Sequence, residues 1–488
     1  MAIYMNSIKQ ILAGLVMTGC SLGLSAQQHN FSHEYIVPTD PLVKEKLAQW
    51  QDLKFGLFMH WGIYSQWGVV ESWSICPEDE GWTVRRGPYS ATYDGYKKAY
   101  EGLQKTFNPV QFDPAKWARA AKDAGMKYVV FTTKHHDGFS MFDTRQTDYR
   151  ITSPNTPFSS NPKANIAKEV FEVFRKDEFM IGAYFSKPDW HDPNYWWPYF
   201  PPKDRNTNYD PKKHPEKWDA FKQFTHRQID ELMTDYGRVD ILWLDGGWVR
   251  PYHTIDTSIS WQRTIPYEQD IDMRTVAAAG RAKQPGLLVV DRTVGGEFEN
   301  YVTPEQTIPP GVLDYPWESC ITMGTSWSYV PGDRYKPAQE IIGMLLKIVS
   351  RGGSLLLNIG PSPEGDFDPD AYARLAEIGD WMKVNGEAIY GTVPLAPHEK
   401  DGLFFLQSKD GQRDFIFLAG DDKGVVNLPE KIVLPGYELP AGAKLVCLAD
   451  KRARIKAESS GGNTTLVLPR GLRARKDLRY AVSFAVSR

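Results

Sequence analysis

The chain has 488 residues and a formal net charge of −3. This length suits two or three domains, or one large barrel with a smaller module, and the nearly balanced charge gives no sign of a nucleic-acid partner. The chain is rich in aromatic residues, with 16 Trp and 24 Tyr. Aromatic faces stack on sugar rings, but they also fill ordinary protein cores.

Residues 1–26 have the features of a secretory signal peptide. Lys9 precedes the apolar run "QILAGLVMTGCSLGLSA", which ends in small residues and is too short to span a membrane. Two processing sites are open: ordinary cleavage before Gln27, or lipid attachment at Cys20, since "MTGC" resembles a lipobox. We expect export to the periplasm or the cell surface, with the soluble form favoured. The sequence contains no other segment apolar enough to cross a bilayer.

Three cysteines remain in the mature chain, at Cys76, Cys320 and Cys447. Their wide spacing matches neither a disulfide framework nor a zinc site. We expect each to be a small buried residue, with at most one disulfide among them.

Seven apolar segments between residues 40 and 395 predict strands that alternate with amphipathic helices. In chain order they are "FGLFMHWG", "KYVVFTTKHHDGF", "MIGAYFSKPDW", "VDILWLDGGW", "GLLVVDRT", "YPWESCIT" and "SLLLNIGP". Near-continuous apolar strands separated by helices predict a parallel sheet covered on both faces. Seven in one run favour a (β/α)8-like TIM barrel over residues 27–395, with one strand or several helices irregular.

Local sequence patterns also predict the structure of the connections between these strands. "DPAKWARAAKDAG" predicts a helix between the cap Asp113 and the exit glycine Gly125. A longer helix is predicted to end at Gly237. Residues 78–108 and the aromatic stretch 194–205, "NYWWPYFPPKDR", are predicted to be loops at the mouth of the barrel.

The pattern changes after Thr392. Short alternating segments such as "GLFFLQS", "RDFIFLAG", "AKLVCLA" and "TTLVLP" are separated by clusters of Gly, Pro, Asp and Lys. This pattern predicts a small antiparallel β-sandwich over residues 396–488.

Polar side chains stand at the ends of nearly all the predicted strands, where barrel enzymes place their chemistry. They include His60, His135, His136, Tyr184, Trp243, Asp245, Arg292, Glu318 and Asn358. Six strand ends that meet at one rim favour a polar pocket over isolated buried residues. Asp245 is followed by two glycines, which permit a tight turn and close approach of a ligand. An Asp that merely caps the next helix is the alternative.

The histidines raise the alternative of a metallohydrolase, with His60, His135, His136 and Asp245 as ligands. Barrel sites of that kind commonly use a His-x-His pair, because alternate residues of a strand face the same side. His135 and His136 are adjacent and would diverge on a strand, although a loop ending at Gly138 would bring both in. We therefore expect neither a metal nor another cofactor.

A strand-end carboxylate surrounded by His and Trp suits glycoside hydrolysis, which needs a second carboxyl group. In retaining enzymes the two groups stand about 5–5.5 Å apart. The candidates downstream of Asp245 are Glu297, Glu299, Glu305 and Glu318, and sequence spacing leaves the choice among them open.

Several motifs of the sequence resemble those of the α-L-fucosidases of glycoside hydrolase family 29. They are "KFGLFMHWGIYS", "FTTKHHDGFSMFDT", "LWLDGGW", "LLLNIGP" and "NGEAIYGT", which occur in the family's order over about residues 45–395. The resemblance implies a (β/α)8-like barrel with a C-terminal β-domain. It also implies retaining hydrolysis of terminal α-L-fucose in fucosylated oligosaccharides or glycoconjugates, by double displacement.

The resemblance also implies roles for individual residues. Asp245 matches the nucleophile, and Glu305 in "YVTPEQ" matches the acid/base, with Glu297 as runner-up and Glu318 third. The acid/base must start protonated, so we expect burial or the nearby Asp245 to raise its pKa. The sugar-binding residues implied are His60, Glu71, Trp73, His135, His136, Tyr184, Trp243 and Arg292. Ser72 separates Glu71 from Trp73, where the family has an adjacent pair.

Two further functions are compatible with the same predicted pocket. A roomier pocket would admit a related sugar such as an α-L-galactoside. A non-catalytic sugar-binding protein on the same scaffold is the other, and the presence of both Asp245 and Glu305 argues against it.

Overall fold

The computed structural model describes residues 35–77, 85 and 87–488, so the predicted signal peptide and Cys20 lie outside the described residues. All seven predicted strands are present and form one parallel sheet, in the order β5-β4-β3-β2-β1-β7-β6. The strands are β1 (Phe55–Met59), β2 (Tyr128–Lys134), β3 (Met180–Ser186), β4 (Ile241–Asp245), β5 (Leu288–Asp291), β6 (Glu318–Thr322) and β7 (Ser354–Asn358). The sheet curls as in a TIM barrel, which confirms the predicted fold class.

The strands are buried on both faces, and their alternate residues pack in two different cores. In β4, Ile241 and Trp243 point into the barrel, whereas Leu242 and Leu244 pack against the outer helices. This two-residue period follows from the pleat of the strand. It places every second strand-end residue on the axis of the barrel, where the candidate site lies.

Helices surround the sheet, and one closes its lower end. They are α1 (Pro41–Leu53), α2 (Tyr93–Glu101), α3 (Pro114–Asp123), α4 (Ile166–Lys176), α5 (Pro215–Asp235), α6 (Met273–Lys283), α7 (Ala338–Ser350) and α8 (Pro369–Asn385), whereas the short helix α9 (Arg470–Arg473) lies in the C-terminal region. In α1, Trp50 stacks on Tyr301 with ring centroids 3.9 Å apart. This contact fills the barrel at the end opposite the strand-end residues.

The helix predicted from the sequence is present at α3, whereas α2 lies where the sequence predicted a loop. The Asp113 side chain accepts a hydrogen bond from the backbone N–H of Ala115, and Gly125 has the positive φ of +87° that suits a helix exit. The prediction of a loop over residues 78–108 is wrong for residues 93–101, which form α2. Its cap, Thr92, accepts from the N–H of Gly95.

An irregular segment takes the place of an eighth strand between the edge strands β5 and β6. The N–H of Asn300 donates to the carbonyl of Val289 at 3.0 Å, and the N–H of Val302 donates to the carbonyl of Pro316 at 3.0 Å. Residues 298–306 therefore connect the two edges, as the expectation of one irregular strand allowed. Glu305 lies on this segment.

The C-terminal region contains two antiparallel sheets. One has the order β12-β15-β10-β9-β8 and the other β11-β14-β13. Their strands are β8 (Thr392–Lys400), β9 (Leu403–Ser408), β10 (Arg413–Ala419), β11 (Lys431–Leu434), β12 (Lys444–Cys447), β13 (Lys456–Ser460), β14 (Asn463–Val467) and β15 (Ala481–Ser487). In β10, Ile416 packs between the two sheets, whereas its neighbours Phe415 and Phe417 belong to the apolar core of the barrel.

Cys76, Cys320 and Cys447 are buried, as expected of small core residues. Among the described residues, no helix has the length and apolar character needed to cross a membrane.

Candidate active site

Asp245 is the last residue of β4 and is 6% exposed. Gly246 follows it with φ of +87°, and a Cβ there would lie 2.2 Å from Cδ of Pro188. The glycine is therefore required by both its conformation and its surroundings. The turn directs the N–H of Gly246 onto Oδ1 of Asp245 at 2.7 Å.

Three groups surround the carboxylate of Asp245. Arg292 donates from Nη1 to Oδ1 at 3.1 Å, and the Tyr184 hydroxyl donates to Oδ2 at 2.8 Å. Nε2 of His136 lies 3.8 Å from Oδ2. Burial opposes ionisation, but the Arg292 charge outweighs it with help from these neighbours, and the pKa of Asp245 falls to about 2. Asp245 is thus an anion at neutral pH.

Glu305 is connected to Asp245 through the same guanidinium group. Nη2 of Arg292 donates to Oε2 of Glu305 at 2.6 Å. The backbone on either side of Glu305 is bound to β6, since Cys320 N–H donates to the Pro304 carbonyl and Gln306 N–H donates to the Cys320 carbonyl. The ring of Trp243 lies beneath Arg292, with the guanidinium carbon 4.9 Å from its centroid. Asp245 and Glu305 therefore flank one planar cation.

The three histidines are neutral and face the same pocket. Nδ1 of His60 lies 2.8 Å from Oδ1 of Asn358, and Nδ1 of His135 lies 2.6 Å from the Ser72 hydroxyl. Burial lowers the pKa of His60 to about 4 and that of His136 to about 3, and it lowers the pKa of His135 well below 6.5. Neutral imidazoles both donate and accept hydrogen bonds, as the hydroxyl groups of a sugar require.

His135 and His136 do not lie on a strand, so the loop arrangement that the sequence analysis left open is the one present. The strand β2 ends at Lys134, so His135 and His136 lie in the following turn, with ring centroids 4.2 Å apart. Each offers a nitrogen within 4.8 Å of the other and of an Asp245 oxygen, a spacing that would suit a metal ion. The Arg292 guanidinium already binds this carboxylate, and its positive charge opposes a second cation at the same oxygens.

Glu71 and Trp73 form the opposite wall. Glu71 is buried with an unusual φ of 19°, and one of its carboxyl oxygens accepts from the N–H of Ser328 at 2.8 Å. Burial raises the pKa of Glu71 to about 8 in spite of this bond. Trp73 stands edge-on to His136 with centroids 5.3 Å apart. Ser72 stands between Glu71 and Trp73 in the sequence, but both of these residues still line the pocket. The hydroxyl of Ser72 itself orients His135.

The structure brings most of the predicted site residues into one pocket. Those that line it are His60, Glu71, Trp73, His135, His136, Trp243, Asp245, Arg292 and Glu305. Tyr184 lies behind this surface and contacts Asp245 instead.

The other candidate glutamates lie elsewhere. Glu297 is exposed on the outer surface, where Arg274 donates to it. Glu299 is buried and accepts from the N–H of Thr293 at 3.0 Å. Glu318 is fully buried below Trp243, which donates to it at 3.2 Å, and burial raises its pKa to about 7. None of the three is among the described residues that line the pocket.

Sequence reasoning missed eight residues that also line the pocket: Phe58, Val70, Arg205, Gln306, Cys320, Thr325, Ser326 and Trp327. Phe58 had a usable signal, because it lies two residues before His60 and so points to the same side of β1. Trp327 contacts His60 at a centroid distance of 5.0 Å from a loop distant in the sequence. No local pattern marks a loop residue of this kind.

Comparison with known proteins gives the same family throughout. Residues 22–387 match the sequence family described as alpha-L-fucosidase. The tissue alpha-L-fucosidase of Rattus norvegicus is 28% identical over 83% of this chain and 84% of its own. The structure of alpha-L-fucosidase isoenzyme 1 from Paenibacillus thiaminolyticus superposes with a TM-score of 0.71 at 27% identity, and covers 91% of this chain and 99% of its own.

A more distant relative has been crystallised as a reaction intermediate. It is an alpha-L-fucosidase from Bacteroides thetaiotaomicron, trapped as a covalent intermediate with a 2-fluoro-fucosyl fluoride. The TM-score is 0.69 at 22% identity, and the match covers 94% of this chain and 100% of the other. At this identity the likeness shows a shared fold.

Proposed function

Because the chain belongs to the α-L-fucosidase family, we propose that terminal α-L-fucose binds in this pocket and that Asp245 and Glu305 catalyse its hydrolysis. The enzyme is a retaining exo-glycosidase that acts by double displacement. One observation supports this assignment of the two carboxyl groups most directly: both bind the same Arg292 guanidinium, from Nη1 and Nη2. Their closeness suits the separation of about 5–5.5 Å found in retaining enzymes.

In the first step Asp245 attacks C1 of the fucosyl residue. Its oxygen forms a bond to C1 while the glycosidic bond breaks, and Glu305 transfers its proton to the departing oxygen. Glu305 must therefore carry its proton when this step begins. The product of this step is a covalent fucosyl-enzyme.

In the second step the charge on Asp245 is absent, because its oxygen is esterified to fucose. Glu305 gave its proton to the leaving oxygen in the first step and is therefore ionised at this point. Its carboxylate accepts a proton from water as the water attacks C1. Asp245 leaves as a carboxylate, and the shared guanidinium returns to its resting contacts.

The pocket supplies the contacts that position the sugar. The neutral imidazoles of His60, His135 and His136 bind hydroxyl groups in this proposal, and so does the carboxyl group of Glu71. Trp243 and Trp73 offer apolar faces for the ring and the methyl group of fucose. Rates of hydrolysis on a panel of aryl α-L-fucosides and α-L-galactosides show whether the pocket prefers fucose or is roomy enough for an α-L-galactoside.

The nucleophile is tested by Asp245→Gly. We expect turnover of an aryl α-L-fucoside to fall at least about 10³-fold, with an unchanged urea-unfolding midpoint. Added azide should occupy the vacated space, attack C1 from the β face and restore turnover as a β-fucosyl azide. Near wild-type activity of the variant, or rescue that yields the α-azide, would contradict the assignment.

Dialysis against EDTA tests the metal alternative at the His135, His136 and Asp245 cluster. We expect unchanged activity, because Arg292 already neutralises Asp245 in the resting enzyme. Elemental analysis of the dialysed protein provides the control. Loss of activity that zinc or manganese restores would favour the metallohydrolase instead.

We also propose that the chain is exported, with the soluble form favoured over a lipid anchor at Cys20. Support comes from the apolar run of residues 11–26, which follows Lys9. Mass spectrometry of the mature N-terminus distinguishes the two forms. Membrane fractionation of Cys20→Ser against wild type provides an independent measurement.

A further inference from the structure

The loop between β3 and α5 presents three neighbouring aromatic side chains towards the surface. Tyr199 is 73% exposed and Phe200 is 37% exposed. Trp197 stacks on Tyr199 with centroids 5.2 Å apart, and Phe200 stands edge-on to Tyr199 at 4.9 Å. We call Trp197, Tyr199 and Phe200 the aromatic tip.

Polar bonds hold the backbone of the aromatic tip in place, although its side chains are not buried. Nδ2 of Asn208 donates to the carbonyl oxygens of Trp197 at 2.9 Å and of Phe200 at 2.6 Å. Oδ1 of Asn208 accepts from the N–H of Trp197 at 2.8 Å. Lys217 lies over the Trp197 ring at 4.9 Å. Clustered exposed aromatic rings on a fixed backbone are typical of a binding surface.

The same loop reaches the fucose pocket. Arg205 lines the pocket and lies 4.9 Å from the centroid of Trp73. Trp190 stands edge-on to Trp73 at 5.3 Å and stacks on Trp196 at 5.1 Å. Trp196 directly precedes the aromatic tip. Two ring contacts and one peptide bond, from Trp196 to Trp197, thus connect the pocket wall to the tip.

The aromatic tip also lies on the face of the barrel where the pocket opens. The strand β3 ends at Ser186 on that face, and α5 begins there at Pro215. Trp197 contacts His214, the residue before α5, with centroids 5.0 Å apart. A substrate chain that leaves the pocket therefore has the tip at its rim.

We propose that the aromatic tip binds a sugar ring of the glycan chain that bears the fucose. This inference rests on the proposed function and extends it to the part of the substrate outside the pocket. Flat aromatic faces fit the C–H face of a pyranose ring. Two ring contacts separate Trp73 from Trp196, so the sugar bound by the tip lies beyond the one attached directly to fucose.

A protein partner is a poorer occupant for this surface. A stable protein interface buries about 800 Å² on each partner, whereas the aromatic tip comprises three side chains, one of them partly buried. Sedimentation velocity of the wild type and the variants below tests whether the aromatic tip joins protein chains.

The double substitution Tyr199→Ala and Phe200→Ala tests the proposal with substrates of three lengths. An aryl α-L-fucoside and a fucosylated disaccharide should keep their kcat/KM, because neither reaches the tip. A longer fucosylated oligosaccharide should lose about two- to tenfold in kcat/KM, as expected for the loss of one or two ring contacts. Most of the loss should appear in KM.

Two further variants serve as controls. Tyr199→Phe keeps the aromatic face and should retain wild-type activity on the long substrate. Val433→Ala alters a 55% exposed side chain of β11 and should leave all three substrates unaffected.

Each contrary result has a distinct meaning. Unchanged kcat/KM on the long substrate, an equal loss on all three substrates, or a change of oligomeric state in the double variant would overturn the proposal. Failure of the wild-type enzyme to cleave even the aryl fucoside would instead refute the proposed function.

Discussion

At the scale of single residues, Arg292 sets the charge balance of the site. It is 4% exposed and binds both Asp245 and Glu305, and the charge of Asp245 raises the pKa of Arg292 further in spite of burial. A permanent guanidinium is suited to this position because it cannot transfer a proton to either carboxylate. The proton needed for catalysis is therefore confined to Glu305 and the substrate.

The acid/base assignment leads to a prediction that compares two glutamates on one segment. In Glu305→Ala, aryl fucosides with good leaving groups should keep their first step, because such groups depart without protonation. Natural fucosides should lose about 10²–10⁴-fold in kcat/KM. Leaving-group dependence of kcat/KM is the measurement, and azide should release an α-fucosyl azide from the accumulated fucosyl-enzyme.

Glu297→Ala is the matched control for this prediction. Glu297 is eight positions earlier on the same connection but lies on the outer surface beside Arg274, so its removal should leave both substrate classes near wild type. The leaving-group signature in Glu297→Ala, together with an even loss in Glu305→Ala, would reverse the assignment.

At the scale of elements, the turn after β4 determines the position of Asp245, the proposed nucleophile. The tight approach of Gly246 to Pro188 joins this turn to the end of β3, and the Lys187 N–H donates to the Asp245 carbonyl at 2.9 Å. Two neighbouring strand ends are thus bound together directly at the reacting carboxylate. A small displacement of this turn should affect catalysis more than stability.

We predict that Gly246→Ala lowers kcat for an aryl fucoside by at least about tenfold, because a misplaced nucleophile loses its attack geometry. The unfolding free energy should fall by roughly 1–3 kcal/mol from the positive φ and the collision with Pro188. Gly442→Ala is the control, since Gly442 has a φ of +77° with nothing within 4 Å of a Cβ. Similar kcat losses in both variants would contradict the prediction.

At the scale of the whole molecule, the barrel and the C-terminal region share one apolar core. Phe404, Phe415 and Phe417 of the five-stranded sheet belong to the same cluster as the barrel helices. Nε1 of Trp381 in α8 donates to the carbonyl of Ala481 at 2.9 Å, and the Ser483 hydroxyl donates to Asn385 at 2.6 Å. The sheet therefore covers α7 and α8 from solvent.

From this shared core we predict that Phe417→Ala lowers the temperature at which fucosidase activity is lost, although the residue is remote from the pocket. The buried ring lies 5.9 Å from Trp381, and its removal should cost about 3–5 kcal/mol of unfolding free energy. Residual activity after heating is the measurement, with the exposed Val433→Ala as control. An unchanged midpoint in Phe417→Ala would mean that the sheet unfolds independently.

The pattern of apolar and polar residues along the chain predicts the strands and the residues that follow them. A parallel strand covered on both faces needs a continuous apolar run, so the seven runs predicted β1–β7. Strand polarity then placed His60, Asp245 and Arg292 at one rim. The family resemblance added the reaction and indicated Glu305. The strand predictions are confirmed, because each depends on a local pattern of the chain.

Which of these groups meet depends on contacts between distant parts of the chain. Glu297, Glu305 and Glu318 lie within 22 positions of one another, yet one faces outward, one binds Arg292 and one is buried under Trp243. The convergence of His135 and His136 depends on β2 ending at Lys134. Ser328 reaches Glu71 across 257 positions. Contacts of this kind arise from the closure of the barrel and its loops, which no local pattern in the chain records.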